Sequence, residues 1–101
     1  MEITKKQDGS ELIMEIKGRL DTNAANVLIE EINASLIEGV DSFVLDMKDC
    51  DYVASSGLRA ILNAQKKMKS LGGKMIVKNV ISDVMEVFEM TGFASDILEI
   101  E

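Results

Sequence analysis

The sequence predicts an α/β fold: a mixed, mostly parallel sheet of four to five strands with three or more helices. Three observations carry this. Leu12, Met14 and Ile16 alternate with Ile13, Glu15 and Lys17, the two-residue period of a strand. Three stretches, within 23–37, 58–71 and 81–88, repeat apolar residues at three- and four-residue intervals, as amphipathic helices do. Compact apolar runs at 42–47 and 75–77 separate those helices. Strands that alternate with single helices call for right-handed crossovers and hence parallel pairing.

Taken in order, Ile3 to Lys6 reads as a short strand and Asp8-Gly9-Ser10 as a turn, Asp-Gly being a favoured hairpin dipeptide. The alternating segment after it then pairs antiparallel with the first strand. Gly18 to Thr22 reads as a loop that ends in capping residues. Ala25, Leu28, Ile29, Ile32 and Leu36 form one helical face, with Asp21, Thr22 or Asn23 as the N-cap and Gly39 just beyond the end. Ser42 to Met47 is a buried strand, followed by an acidic loop. Leu58, Ile61, Leu62, Met68 and Leu71 mark the second helix, which Gly72-Gly73 terminates. Met75, Ile76 and Val77 form the next strand. Ile81, Val84, Met85 and Phe88 give the third helix with Gly92 as its stop, and Ile97, Leu98 and Ile100 suggest a short final strand at an edge. The expected order is ββαβαβα with a last strand, as a single domain over residues 1–101. Three such helices can cover one face of the sheet well, or two faces thinly.

Composition narrows the function. Eleven basic against 18 acidic residues give a net charge of −7, which repels nucleic acid and anionic lipid, so no nucleic-acid or membrane partner is expected. No apolar run approaches the roughly 20 residues of a membrane span, and no signal peptide opens the chain. One cysteine excludes an internal disulfide and fits a reducing compartment, so a cytoplasmic location is expected. The chain has no histidine. Ser-His and Cys-His nucleophile activation and His-ligated zinc are therefore excluded, and no cofactor or metal is expected.

The stretch 51–62, Asp-Tyr-Val-Ala-Ser-Ser-Gly-Leu-Arg-Ala-Ile-Leu, holds the main candidate. Ser55 and Ser56 fall at a helix start, where backbone N–H groups lack partners and the dipole is positive. A hydroxyl there can be a cap, a nucleophile or a phosphate acceptor. A phosphate would gain from the helix N-terminus but would be opposed by Asp46, Asp49 and Asp51. Those three carboxylates could themselves hold magnesium, yet no glycine-rich phosphate loop accompanies them, and a solvated loop is the simpler account. Asp21-Thr22-Asn23 is the second candidate. It should open at the same edge as Ser55, because strands that each feed a helix present their C-terminal ends together. Arg59, Lys66, Lys67 and Lys69 lie on the polar side and last turns of the second helix, either as a solvated, dipole-matched face or as a basic strip for an acidic partner. Cys50 reads as a small buried hydrophobe, and the seven methionines read mostly as core filler.

Five segments in order carry a family resemblance over essentially the whole chain. They are Gly18-Arg19-Leu20-Asp21, Val44-Leu45-Asp46-Met47, Ser55-Ser56-Gly57-Leu58, Gly72-Gly73 and Met90-Thr91-Gly92-Phe93. With them the chain resembles the anti-sigma factor antagonists of the STAS domain family. The resemblance implies a STAS-like fold and a non-catalytic, partner-switching protein. In that family the unphosphorylated antagonist binds an anti-sigma factor that is also a serine kinase, and so releases the sigma factor. The kinase phosphorylates the first serine of the Ser-Ser-Gly motif, and a serine phosphatase reverses the step.

Carried over by motif position, the acceptor is Ser55. Asp21 matches an acidic residue of the partner-facing surface, beside Thr22 and Asn23. Ser56, Gly57 and Leu58 match the helix start that contacts the kinase. One departure stands out: Ala54 occupies the position where the best-known members carry an aspartate. The family also includes scaffold subunits of stress-sensing complexes and subunits of lipid-transport machines, and the alternative reading is such a scaffold or lipid-transport subunit without phosphorylation. A serine-nucleophile enzyme would need a lysine base, and the motif contains none.

Overall fold

The computed structural model describes residues 1–91 and 98–101. The expected helix stop at Gly92, the aromatic Phe93 and the strand residue Ile97 lie outside the described residues. The elements are β1 (Glu2–Asp8), β2 (Glu11–Leu20), α1 (Thr22–Ser35), β3 (Ser42–Val53), α2 (Ser55–Ser70), β4 (Lys74–Lys78), α3 (Ser82–Thr91) and β5 (Glu99–Ile100). They form one five-stranded sheet in the order β1-β2-β3-β4-β5, antiparallel between β1 and β2 and parallel elsewhere. The α/β fold with a mixed, mostly parallel sheet and three helices is therefore as the sequence implies.

The hairpin differs by one residue from expectation. Asp8 pairs with Glu11, so of the expected turn Asp8-Gly9-Ser10 only Gly9-Ser10 forms the loop and Asp8 belongs to the strand. Gly9 takes φ +61°, a left-handed conformation that glycine adopts without the Cβ penalty.

Register decides which side chains meet. Leu12, Phe43 and Met75 lie abreast on neighbouring strands, as do Met14, Leu45 and Val77, and none of the six is more than 3% exposed. The same core holds Leu28 and Ile32 of α1, Ile61 and Met68 of α2, and Val84 and Phe88 of α3. Successive right-handed crossovers that step one strand in the same direction put their helices on one side, and the shared core agrees. The three helices thus cover one face. The other face carries Glu15, Asp46 and Lys78 and a row of Ile13, Val44 and Ile76. Among the described residues no helix packs on it.

All of the first four strands run further than the sequence pattern suggests, β1 and β4 by a residue or two at each end and β2 and β3 into segments expected to be loops. The expected loop at 18–22 is strand as far as Leu20, and the expected acidic loop after Met47 is strand as far as Val53. The cause is two register shifts. Between the pairs Glu15↔Asp46 and Lys17↔Asp49, β3 advances three residues to two of β2. Between Gly18↔Cys50 and Arg19↔Tyr52 it advances two to one. Each extra residue flips the strand's facing, so Met47, Cys50 and Val53 all turn inward at a spacing of three. That spacing hides a strand from an alternation test.

At the far end, α2 closes with the glycine pair. Gly72 takes φ +76° and donates its N–H to the Lys69 carbonyl at 3.1 Å, while Gly73 donates to the Met68 carbonyl at 2.9 Å. These two bonds satisfy carbonyls that the helix would otherwise leave open and return the chain directly into β4.

Candidate functional site

β2 and β3 end abreast, Leu20 opposite Val53, and each feeds a helix at once. The N-termini of α1 and α2 therefore open side by side at one edge of the sheet, and three contacts fix them. Asp21 is the N-cap of α1, its Oδ1 accepting the Ala24 N–H at 2.9 Å. The Ala54 N–H donates to the Leu20 carbonyl at 2.9 Å, which ties the entry of α2 to the end of β2. The Ser56 hydroxyl donates to Thr22 Oγ1 at 3.2 Å, linking the first turns of the two helices.

Ser55 is not the cap that its position suggested. The carbonyl that begins the α2 ladder belongs to Ala54, which accepts the Leu58 N–H at 3.0 Å. Ala54 has the extended backbone of an N-cap, φ −78° and ψ 165°, but a methyl side chain that cannot accept a hydrogen bond. Ser55 is consequently the first helical residue, with its side chain exposed. It stands over backbone N–H groups that no side chain caps.

The other site residues divide by exposure. Thr22 and Asn23 are exposed, and Asp21 and Ser56 are half-buried. Gly57 and Leu58 are buried, Leu58 at 2% exposure. Gly57 sits directly against the end of β2, and Leu58 reaches into the core.

The three aspartates of the preceding segment do not converge. Asp46 lies on the helix-free face of the sheet, where its Oδ1 accepts the Lys48 N–H at 3.0 Å and an Asn79 side-chain N–H at 3.1 Å. At about 3.3 Å per residue it is on the order of 20 Å from the end of β3, so it does not sit beside Ser55. Among the described residues, no three carboxylate or thiol groups come together as metal ligands would. Lys66 and Lys67 line a cavity of about 480 Å³ between α1 and α2, with Lys67 Nζ donating to Asn33 Oδ1 at 3.5 Å. Arg59 instead lines a smaller cavity with Ser55, Leu58, Leu62 and Thr91.

Sequence reasoning missed two further residues at this edge. Arg19 and Tyr52 are register partners, and the guanidinium carbon lies 4.1 Å from the centre of the Tyr52 ring. Such a contact at an exposed site is worth about 0.5–1 kcal/mol. Arg19 also lines a cavity of about 440 Å³ with Met1, Asp21, Asn23, Ala24 and Val27. The two residues are 33 positions apart, and only the shifted register brings them together. Below them Cys50 is buried, donates to the Tyr52 carbonyl at 3.5 Å, and has its thiol pKa raised chiefly by burial.

Comparison with known proteins places this geometry in context. Residues 2–101 match the STAS domain. The chain is 32% identical over 95 residues to BtrV of Bordetella bronchiseptica, an alignment that spans 94% of this chain and 82% of that protein. It is 30% identical over 95 residues to the anti-sigma-B factor antagonist of Bacillus subtilis, spanning 94% of this chain and 85% of that one. In fold it is similar to the phosphorylated form of the Bacillus cell fate determinant SpoIIAA. That match has a TM-score of 0.76 at 16% identity and covers 99% of this chain and 91% of the other.

Proposed function

The chain belongs to the STAS domain family, and from that premise we propose that it is an anti-sigma factor antagonist switched by phosphorylation of Ser55. In this reading the unphosphorylated protein binds an anti-sigma factor that is also a serine kinase, and the bound kinase releases its sigma factor. Phosphorylation of Ser55 ends the interaction, and a serine phosphatase restores it. The protein performs no catalysis itself and works in the cytoplasm.

The observation that carries the reading is the exposed hydroxyl of Ser55 on the first, uncapped turn of α2. A phosphate there meets open backbone N–H groups and the positive end of the helix dipole. It adds roughly −1.5 to −2 charges to a surface that needs no refolding to accept them. The partner surface comprises the exposed Thr22 and Asn23 with the half-buried Asp21 and Ser56, its two helix starts linked by the Ser56–Thr22 hydrogen bond. Gly57 and Leu58 serve the same surface from beneath, as positioning residues.

The test is to incubate the protein with its cognate kinase, ATP and magnesium and to locate phosphate by mass spectrometry. Phosphate on Ser55 is expected, and its absence there would end the switch reading. Ala54, in the place of the aspartate of the best-known members, favours a second reading: a constitutive scaffold or lipid-transport subunit that is never phosphorylated. Under that reading Ser55→Asp leaves partner affinity unchanged, whereas under the first it causes a marked loss.

A further inference from the structure

Ser55 and Arg59 lie one helical turn apart on α2, and both line a single cavity of about 270 Å³ whose other walls are Leu58, Leu62 and Thr91. Side chains at this spacing have Cβ atoms about 5–6 Å apart on the same helix face. Both residues are exposed. From this arrangement we propose that Arg59 is the residue that holds the phosphate on Ser55, a role that rests on the proposed phosphorylation of that serine.

The surroundings leave the task to Arg59. Among the described residues, the charged side chains close in sequence to this edge on the adjoining elements include Asp21 before α1, Asp51 near the end of β3 and Glu89 near the end of α3, all carboxylates. Arg19, at the end of β2, is stacked on Tyr52. Leu58 and Leu62 give the cavity an apolar wall, against which an unpaired dianion is poorly solvated. A guanidinium presents a planar fork of N–H donors that matches phosphate oxygens in pairs, and among the described residues lining the cavity no other side chain is cationic. The uncapped N–H groups at the start of α2 supply donors from the other side.

Phosphorylation then changes two residues at once. It adds a dianion at Ser55, and it withdraws the Arg59 guanidinium from any carboxylate of a bound partner. It also lays the ion pair along α2, at the cavity that Thr91 of α3 borders.

The experiment uses full-length protein with phosphoserine installed at position 55 by genetic code expansion, so that no kinase is required. The phosphorus NMR shift is followed against pH for the natural chain and for Arg59→Gln and Arg59→Lys. A cation beside the phosphate stabilises its dianion, so the second phosphate pKa, ordinarily about 6, should be lowest in the natural chain. Arg59→Gln should raise it by about 0.4 unit, and Arg59→Lys by less. The difference should shrink in about 0.5 M salt. The unphosphorylated forms should melt together, because Arg59 is exposed. Equal phosphate pKa values in the natural chain and Arg59→Gln would overturn the role of Arg59 and leave Ser55 as the acceptor. Failure of a kinase to modify Ser55 would instead end the switch reading, and with it the role of Arg59 in the cell, whatever the installed phosphoserine shows.

Discussion

A β-carbon placed on Gly57 would lie 2.7 Å from Leu20 Cγ and 2.8 Å from the Leu20 carbonyl oxygen. The glycine of the Ser-Ser-Gly motif is therefore a packing requirement. It lets the first turn of α2 rest on the last residue of β2, and the bond from the Ala54 N–H to the Leu20 carbonyl holds the same approach. The Leu20 side chain could rotate aside, but its carbonyl is backbone and cannot. Gly57→Ala gains up to about 1 kcal/mol of helix propensity and meets an overpacking cost of about 1–3 kcal/mol. A net destabilisation is expected by urea titration. The shift of α2 should also break the Ser56–Thr22 hydrogen bond, and partner affinity should fall with it.

Ala54 gives the opposite expectation. Its backbone has the N-cap conformation and only the acceptor is missing. Ala54→Ser or Ala54→Asp should supply that acceptor and stabilise the protein by about 1 kcal/mol. For a chain of this size the melting temperature should rise by about 4–8 °C. The serine variant adds no charge, so a rise in both variants identifies capping as the cause. Ser55→Ala should change stability by less than about 0.5 kcal/mol, because Ser55 caps nothing. A larger loss in Ser55→Ala would contradict the assignment of Ala54 as the cap.

The sequence made the element order and the inward helix faces legible because Leu28, Ile32, Ile61 and Met68 fall at helical intervals and the strand runs are compact. The edge that holds the site was half legible. That α1 and α2 open together follows from strand order, and Asp21 has the chemistry of a cap. What stayed hidden depends on register. Two extra residues in β3 turn Met47, Cys50 and Val53 to one side, so the alternation that marks a strand is lost. The same shifts set Arg19 against Tyr52, a pairing no local pattern encodes. That Ala54 and not a serine caps α2 has a related reason. Serine has the better capping chemistry, but the hydrogen bond from the Ala54 N–H to Leu20 fixes where β3 ends, and the helix begins one residue earlier than propensity suggests.

Asp21 joins two roles that substitution can separate. Its carboxylate accepts the Ala24 N–H and also stands at the surface with Thr22 and Asn23. Asp21→Ala should cost about 1 kcal/mol through the lost cap. Asp21→Asn keeps an acceptor of the same shape and should stay within about 0.5 kcal/mol of the natural chain. Stability is read from thermal unfolding, and partner affinity from titration calorimetry. Loss of affinity in Asp21→Asn at unchanged stability would assign the carboxylate charge to recognition. Unchanged affinity would confine Asp21 to capping.

Cys50 sets the pH dependence of the site's underside. Burial disfavours the thiolate more than the backbone hydrogen bonds at Tyr52 and Leu20 favour it, and the charge of Asp51 adds to the effect of burial. The folded pKa therefore lies above the ordinary 9.0. Above that ordinary value the unfolded chain loses the proton while the folded chain keeps it, so the unfolded state binds fewer protons and stability falls as pH rises. The contribution is complete below 9.0 and is lost as pH climbs through the folded pKa. Urea unfolding from about pH 8 to about pH 10 should show a steeper decline for the natural chain than for Cys50→Ala, whose cavity cost is independent of pH. Equal slopes would mean that the thiol is not held in its neutral form. The same burial makes Cys50 unreactive, and a thiol reagent should label the folded protein far more slowly than the urea-unfolded chain.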